Sequence, residues 1–118
     1  MSGVLAENVG RGDVLLLRGV TNPWSVKWKQ QTESGGAFNP VDLTDYTCKF
    51  EMRLPWSDDV AYSRLCDAHG VDGIAAVYIP PDAFRDAVWA GRRSGEWRIT
   101  ATKNGITELL GWGYWHLA

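Results

Sequence analysis

Tyr46, Cys48, Phe50, Met52 and Leu54 alternate with Thr47, Lys49, Glu51 and Arg53. Successive side chains of a strand point to opposite faces, so this alternation buries one face and wets the other. A helix would scatter the same apolar residues around its circumference. Pro55 ends the run because it has no N–H to give to a ladder. Trp24, Val26 and Trp28 set against Ser25, Lys27 and Lys29 repeat the pattern over residues 24–30. Residues 13–18, DVLLLR, are continuously apolar and predict a strand covered on both sides. Residues 61–66 read as a weaker strand, and residues 74–79 as a strand stopped by Pro80-Pro81.

The strongest turn signal is Asn104-Gly105, between the apolar-patterned runs 96–103 and 106–117. A two-residue hairpin loop needs positive φ at both positions, which Asn and Gly tolerate best. It predicts that Lys103 faces Ile106, Ile99 faces Leu110, and Trp97 faces Trp112. Gly111 and Gly113 flank Trp112 and predict a bulge or a close backbone approach. The single helix candidate is residues 81–90. Pro81 suits a first helical turn, Asp82 the positive dipole end, Phe84 and Val88 a shared face, and Gly91 a stop.

With thirteen Gly and five Pro between short runs, the chain reads as all-β. The expected fold is a single immunoglobulin-like β-sandwich of seven or eight strands with one short helical crossover; a partly open barrel is the second choice. The 118 residues suffice for one core. Residues 11–118 form that domain. Residues 1–10, MSGVLAENVG, read as an N-terminal arm ordered only against a partner.

Composition and charge narrow the function. A net charge of −2 and a pI of about 5.6 argue against nucleic acid as a partner. No apolar run reaches the ~18 residues of a membrane helix, and no signal peptide is visible. Two cysteines make no disulfide scaffold, so a reducing compartment is expected.

Cys66 and His69 have the spacing of half a zinc site, but completing it would need Cys48 or His116. Asp42 with Asp45, and Asp58 with Asp59, are spaced for an acid–base pair, yet Asp before a turn more often caps local backbone. Arg11-Gly12-Asp13 is an adhesion tripeptide of negligible specificity. No nucleophile elbow or phosphate loop is present. The expectation is therefore no metal, no cofactor and no enzymatic activity.

Seven Trp are the unusual feature. Trp28, with Trp97 or Trp112, fits the core. Trp24, Trp56, Trp89 and Trp115 fall at strand ends, turns or helix ends. With Arg92 and Arg93 they are the candidate interface residues, since Trp and Arg dominate binding hot spots.

Residues 39–54, NPVDLTDYTCKFEMRL, resemble the motif of small phage virion β-sandwich domains, found at the start of upper baseplate proteins and in tail- or head-associated proteins of actinobacteriophages. GIAAVYIPPDAF, a short crossover and SGEWRITATKNG follow in the order of that family, and RGDVLLLRGVTNPWSVKWKQ is similar to its first two strands. Asp42, Thr44 and Tyr46, with Asn104 and Gly105, are then fold-signature residues. The resemblance implies a virion structural protein, made in the host cytoplasm and assembled in multiple copies. It would dock on tail, baseplate or major capsid proteins, with no nucleic-acid or membrane partner. The alternative is a carbohydrate-binding module that reads host surface glycan through exposed Trp.

Overall fold

The computed structural model describes residues 6–31 and 33–118, with side chains from residue 9 onward. Twelve strands run in chain order among these residues: β1 (Ala6–Asn8), β2 (Gly10–Arg11), β3 (Val14–Leu16), β4 (Asn22–Lys27), β5 (Lys29–Gln31), β6 (Asn39–Pro40), β7 (Thr47–Arg53), β8 (Val60–Leu65), β9 (Ala68–His69), β10 (Ile74–Ile79), β11 (Ser94–Lys103) and β12 (Ile106–Leu117). The large sheet has the order β2-β12-β11-β7-β8, with β3 also on β12; the second has the order β4-β10-β9. β2 and β3 lie parallel to β12, and every other pair is antiparallel.

The chain crosses between the two sheets after β3, β4, β8 and β10, passing through β5 and β6 on the way from β4 to β7. This is the Greek-key order of an immunoglobulin-like sandwich. A small third sheet, β1-β5-β6, extends it. The strand count exceeds the expected seven or eight because the 24–30 run is broken and because the short strands β1, β2, β6 and β9 are added. The 24–30 run splits at Trp28, whose N–H donates to the Gly73 carbonyl and whose carbonyl accepts from Val41. Near the N-terminus, Gly12-Asp13 separates β2 from β3.

The β7 alternation holds: Cys48, Phe50 and Met52 are buried. They meet Trp28, Val26, Val77 and Ile79 of the facing sheet and Trp97, Ile99 and Leu110 of their own in one core. Tyr46 is half-buried with its ring edge against Trp28 at 5.9 Å. Leu54 lies beyond the strand end and is half-buried.

Several expectations need correction. Residues 13–18 are not covered on both sides: β3 is an edge strand with Val14 and Leu16 buried and Leu15 exposed. The 81–90 helix is replaced by a turn and a 3-10 helix over Ala87–Gly91. Phe84 is therefore buried while Val88 faces solvent, and the two share no face.

The Asn104-Gly105 turn and the Lys103–Ile106 pair are as expected, with φ of 52° and 77°. Beyond them the ladder slips at Ile99/Thr100, so that Ile99 faces Gly111, Trp97 faces Gly113, and Arg98 faces Trp112. Leu110 is the extra residue of a β-bulge. Of the expected arm, residues 1–5 lie outside the described residues. Of the remainder, Ala6–Asn8 pairs with β5, and Gly10 pairs with Gly111.

The bulge sets two glycines at points of close backbone approach. A Cβ on Gly113 would lie 1.7 Å from the Gly12 carbonyl oxygen, and one on Gly111 would lie 2.5 Å from Val26 Cγ1. Gly113→Ala is accordingly expected to prevent native folding, because backbone has to move to admit the methyl. Phe50→Ala should still fold but lose about 3–5 kcal/mol in denaturant titrations, the transfer plus cavity cost of a buried Phe. A Phe50→Ala loss below about 1 kcal/mol would contradict its central place in the core.

Candidate ligand and docking surfaces

The Asp42 to Tyr46 motif builds a corner. The Asp42 carboxylate accepts from the Thr44 N–H at 2.9 Å and from its hydroxyl at 2.5 Å. These bonds hold the Asp42 carboxyl below the usual range, the hydroxyl contributing most. Leu43 is fully buried beneath them. Its N–H donates to the Gly70 carbonyl, and its carbonyl accepts from Tyr46 N–H and His69 Nδ1. Asp42 is thus occupied with local backbone, as Asp before a turn usually is.

The other chemical candidates are also absorbed by the fold. His69 points its Nδ1 at Leu43, away from any shared site with Cys66. Among the described residues no three His, Cys, Asp or Glu side chains cluster to hold a metal ion. Cys48 and Cys66 face each other across β7 and β8, with the Cys66 N–H donating to the Cys48 carbonyl at 2.8 Å. Both are free thiols; burial pushes Cys48 up to about 11 and Cys66 up to about 12. A thiolate is the reactive form, and burial disfavours it at both positions.

Asp58 pairs with Arg53 at 3.3 Å. The backbone N–H of Asp59 binds Ser57 Oγ. Arg11 and Asp13 pair at 3.1 Å, and Asp13 also accepts from the Tyr114 N–H. The adhesion tripeptide therefore braces β2 and β3 against β12.

Two interface candidates are core residues. Trp115 is fully buried, and its indole N–H donates to the Arg53 carbonyl at 3.0 Å. Trp89 is buried against Phe84 at 4.8 Å and Trp115 at 6.2 Å. The aromatic row Tyr62, Phe84, Trp89, Trp115 closes one end of the sandwich. Their positions at element ends look peripheral in sequence, but an open end of a sandwich must be plugged by something large and apolar. Trp24 is half-buried, with its ring edge-on to Trp97 at 5.4 Å.

Arg92 covers the outer face of Trp89 at 4.7 Å. Arg18 donates to the carbonyls of both Trp89 and Arg92, tying the β3–β4 turn to the 3-10 helix. That turn is itself closed by Asn22, the one buried polar side chain among the described residues, which bonds Leu17 twice and Val20 once. Leu17 and Val20, on either side of Arg18, and Val88, in the 3-10 helix that Arg18 bonds, are all exposed, as is Arg93 in the loop that follows. The exposure of Leu17 and Val88 is not legible in sequence, because a continuous apolar run and a helical face both predict burial.

Trp56 stands apart. It is fully exposed, at 104% of its reference area, and has a positive φ of 57°. It overhangs a groove of about 460 Å³ formed with Tyr114, His116, Ser94, Glu96 and Asp58. The outward face of the large sheet continues from there. Trp112 and Tyr114 sit edge to face at 6.1 Å, with the Arg11 guanidinium 4.4 Å above Trp112.

No protein-family model matches the sequence, and no curated protein matches it.

One ionic contact links the sheets. Arg64 grips Asp67 with two bonds, at 2.7 and 3.3 Å, and the same carboxylate accepts from the Tyr78 N–H at 2.6 Å. These bonds, Arg64 foremost, hold the Asp67 carboxyl below its usual value. A carboxyl lowered in the folded state stabilises the protein above its unfolded pKa, and that stability is lost as pH falls through the folded pKa. Asp67→Asn should therefore melt below the parent at about pH 7, and the gap should close on acidification toward about pH 2. Melting curves across that range check it; a gap independent of pH would mean that the charge contributes nothing.

Proposed function

We propose that this chain is a non-enzymatic docking domain of a phage virion, held on other virion proteins through the end carrying Leu17, Val20, Val88 and Arg93. The observation that carries the reading is that exposed apolar end. Three aliphatic side chains lie open on the two segments that Arg18 ties together, and the β3–β4 turn is closed from within by Asn22. A rigid apolar patch rimmed by arginine is the composition of a protein-binding surface, since the ordering cost is already met and the apolar centre excludes water.

The fold and the Asp42–Tyr46 corner support the virion setting by the resemblance of that motif to small phage sandwich domains. A single sandwich of this size suits repeated docking on a symmetric lattice. Tail or baseplate attachment is preferred over capsid decoration. With the net charge only −2, bulk steering is weak, so specificity rests on local contacts.

Trp89 is buried, so Val88, its exposed neighbour, stands in its place among the docking residues. Val88→Asp and Arg93→Ala should fold with parental melting temperatures, because both side chains are exposed. Incorporation into particles should fall at least about tenfold for Val88→Asp, the effect of losing a hot-spot contact. Parental incorporation of both variants would exclude this end as the docking face.

A further inference from the structure

We infer that the groove under Trp56 is a binding subsite for neutral pyranose units of a glycan. The starting point is the cost of the Trp56 position. A non-glycine residue at φ 57° is strained, and a bulky one more so. The indole contributes no burial in return, since its whole surface is open to solvent. Nothing in the folding of the Leu54–Asp59 loop requires it. Leu54 N–H closes that loop on the Asp59 carbonyl, Ser57 caps Asp59, and Arg53 holds Asp58. Glycine would serve the same turn without strain. The side chain therefore answers to something outside the chain.

The groove floor defines what that is. Ser94 faces His116 and Glu96 faces Tyr114 on adjoining rungs of β11 and β12. All four side chains line the groove, with rungs of one face about 6.8 Å apart along a strand. Tyr114 is steadied from behind by Trp112 and by the Arg11 guanidinium at 5.3 Å. The groove thus offers two aromatic surfaces, Trp56 and Tyr114, with hydroxyl, imidazole and carboxylate groups between them. Its volume of about 460 Å³ falls within the range of small-ligand sites.

Charge decides among ligand classes. Glu96 already accepts from Arg98 at 3.1 Å, and Asp58 already pairs with Arg53 at 3.3 Å. Both carboxylates are compensated, so a basic peptide side chain would have to compete with an arginine in place. An anionic ligand would meet two carboxylates whose arginine partners are engaged. A neutral ligand rich in hydroxyls fits: it donates to the carboxylates without bringing charge, and its C–H face lies on the indole. A pyranose has that combination of an apolar face and a hydroxyl rim. The site shares no residue with the apolar end proposed for docking and stands whether or not that reading holds.

The test uses the full chain with maltose, cellobiose, lactose and chitobiose as probes, and a lysine-rich peptide as the competing class. At least one disaccharide is expected to shift the Trp56 indole N–H resonance and quench its emission, with a Kd in the millimolar range, about −4 kcal/mol for one subsite. Trp56→Ala should weaken that binding at least about tenfold, as loss of a stacking surface does, and Glu96→Gln should weaken it while leaving the fold intact. Trp56→Gly should melt at or above the parental temperature, since it relieves the positive φ. Four results would overturn the inference: no disaccharide binding at millimolar concentrations, binding unchanged in Trp56→Ala, binding of the lysine-rich peptide in place of the sugars, or a clear loss of stability in Trp56→Gly.

Discussion

The seat of Trp97 is the contact on which the two sheets depend. The indole lies on the inner face of β11, stacked on Phe50 of β7 at 6.4 Å and meeting Trp24 of the facing sheet edge-on at 5.4 Å. Its N–H donates to the Gly12 carbonyl at 2.8 Å, so this buried indole has its polar atom satisfied. That bond is possible only because Gly12 and Gly113 bring β2, β3 and β12 into direct backbone approach. The β-bulge at Leu110 sets the register that puts Gly113, rather than Trp112, opposite Trp97. One irregularity in the ladder thereby turns Trp112 outward and makes room for the N-terminal strands to lie parallel on the C-terminal one.

The same logic governs the end of the sandwich. Trp115 and Trp89 fill the gap between the sheets, and Trp115 finds its acceptor in the Arg53 carbonyl at the end of β7. With the interior of that end filled by aromatics, the turn and 3-10 helix above it are held from outside by Arg18. The aliphatic side chains that remain, Leu17, Val20 and Val88, have no core left to enter. Their exposure is consistent with an interior already filled by aromatics at that end.

The two proposed surfaces use different physics. The apolar end excludes water and gains from area, with arginine at its rim. The Trp56 groove combines an open indole with charge-compensated carboxylates, an arrangement for a neutral hydroxylated ligand. The outward face of the large sheet joins the groove through Tyr114 and Trp112. A domain anchored by one end would leave that face free to meet solvent and whatever lies in it.

Period and turn chemistry determined much of this protein from its sequence alone. The alternation through β7, the β10 strand and the Asn104-Gly105 hairpin are all legible, because a strand's side chains alternate whatever surrounds it and because few residues tolerate positive φ. Asp42 and Thr44 likewise announce a corner, since their bonds are local. What only the tertiary structure decided concerns residues whose fate depends on distant neighbours. Trp89 and Trp115 look peripheral by position and are buried, while Leu15 and Val88 look buried by pattern and are exposed. Whether an element end is covered is settled by the strands that pack over it. The bulge that re-aims Trp112 had a visible sign in Gly111 and Gly113, but its exact register needed the Gly12 backbone pressed against Gly113. Trp56 could be noticed in sequence as a turn Trp, but its meaning rests on Tyr114, Glu96 and His116, which lie some forty to sixty residues away in the chain and are brought beneath it only by the pairing of β11 with β12 and β7.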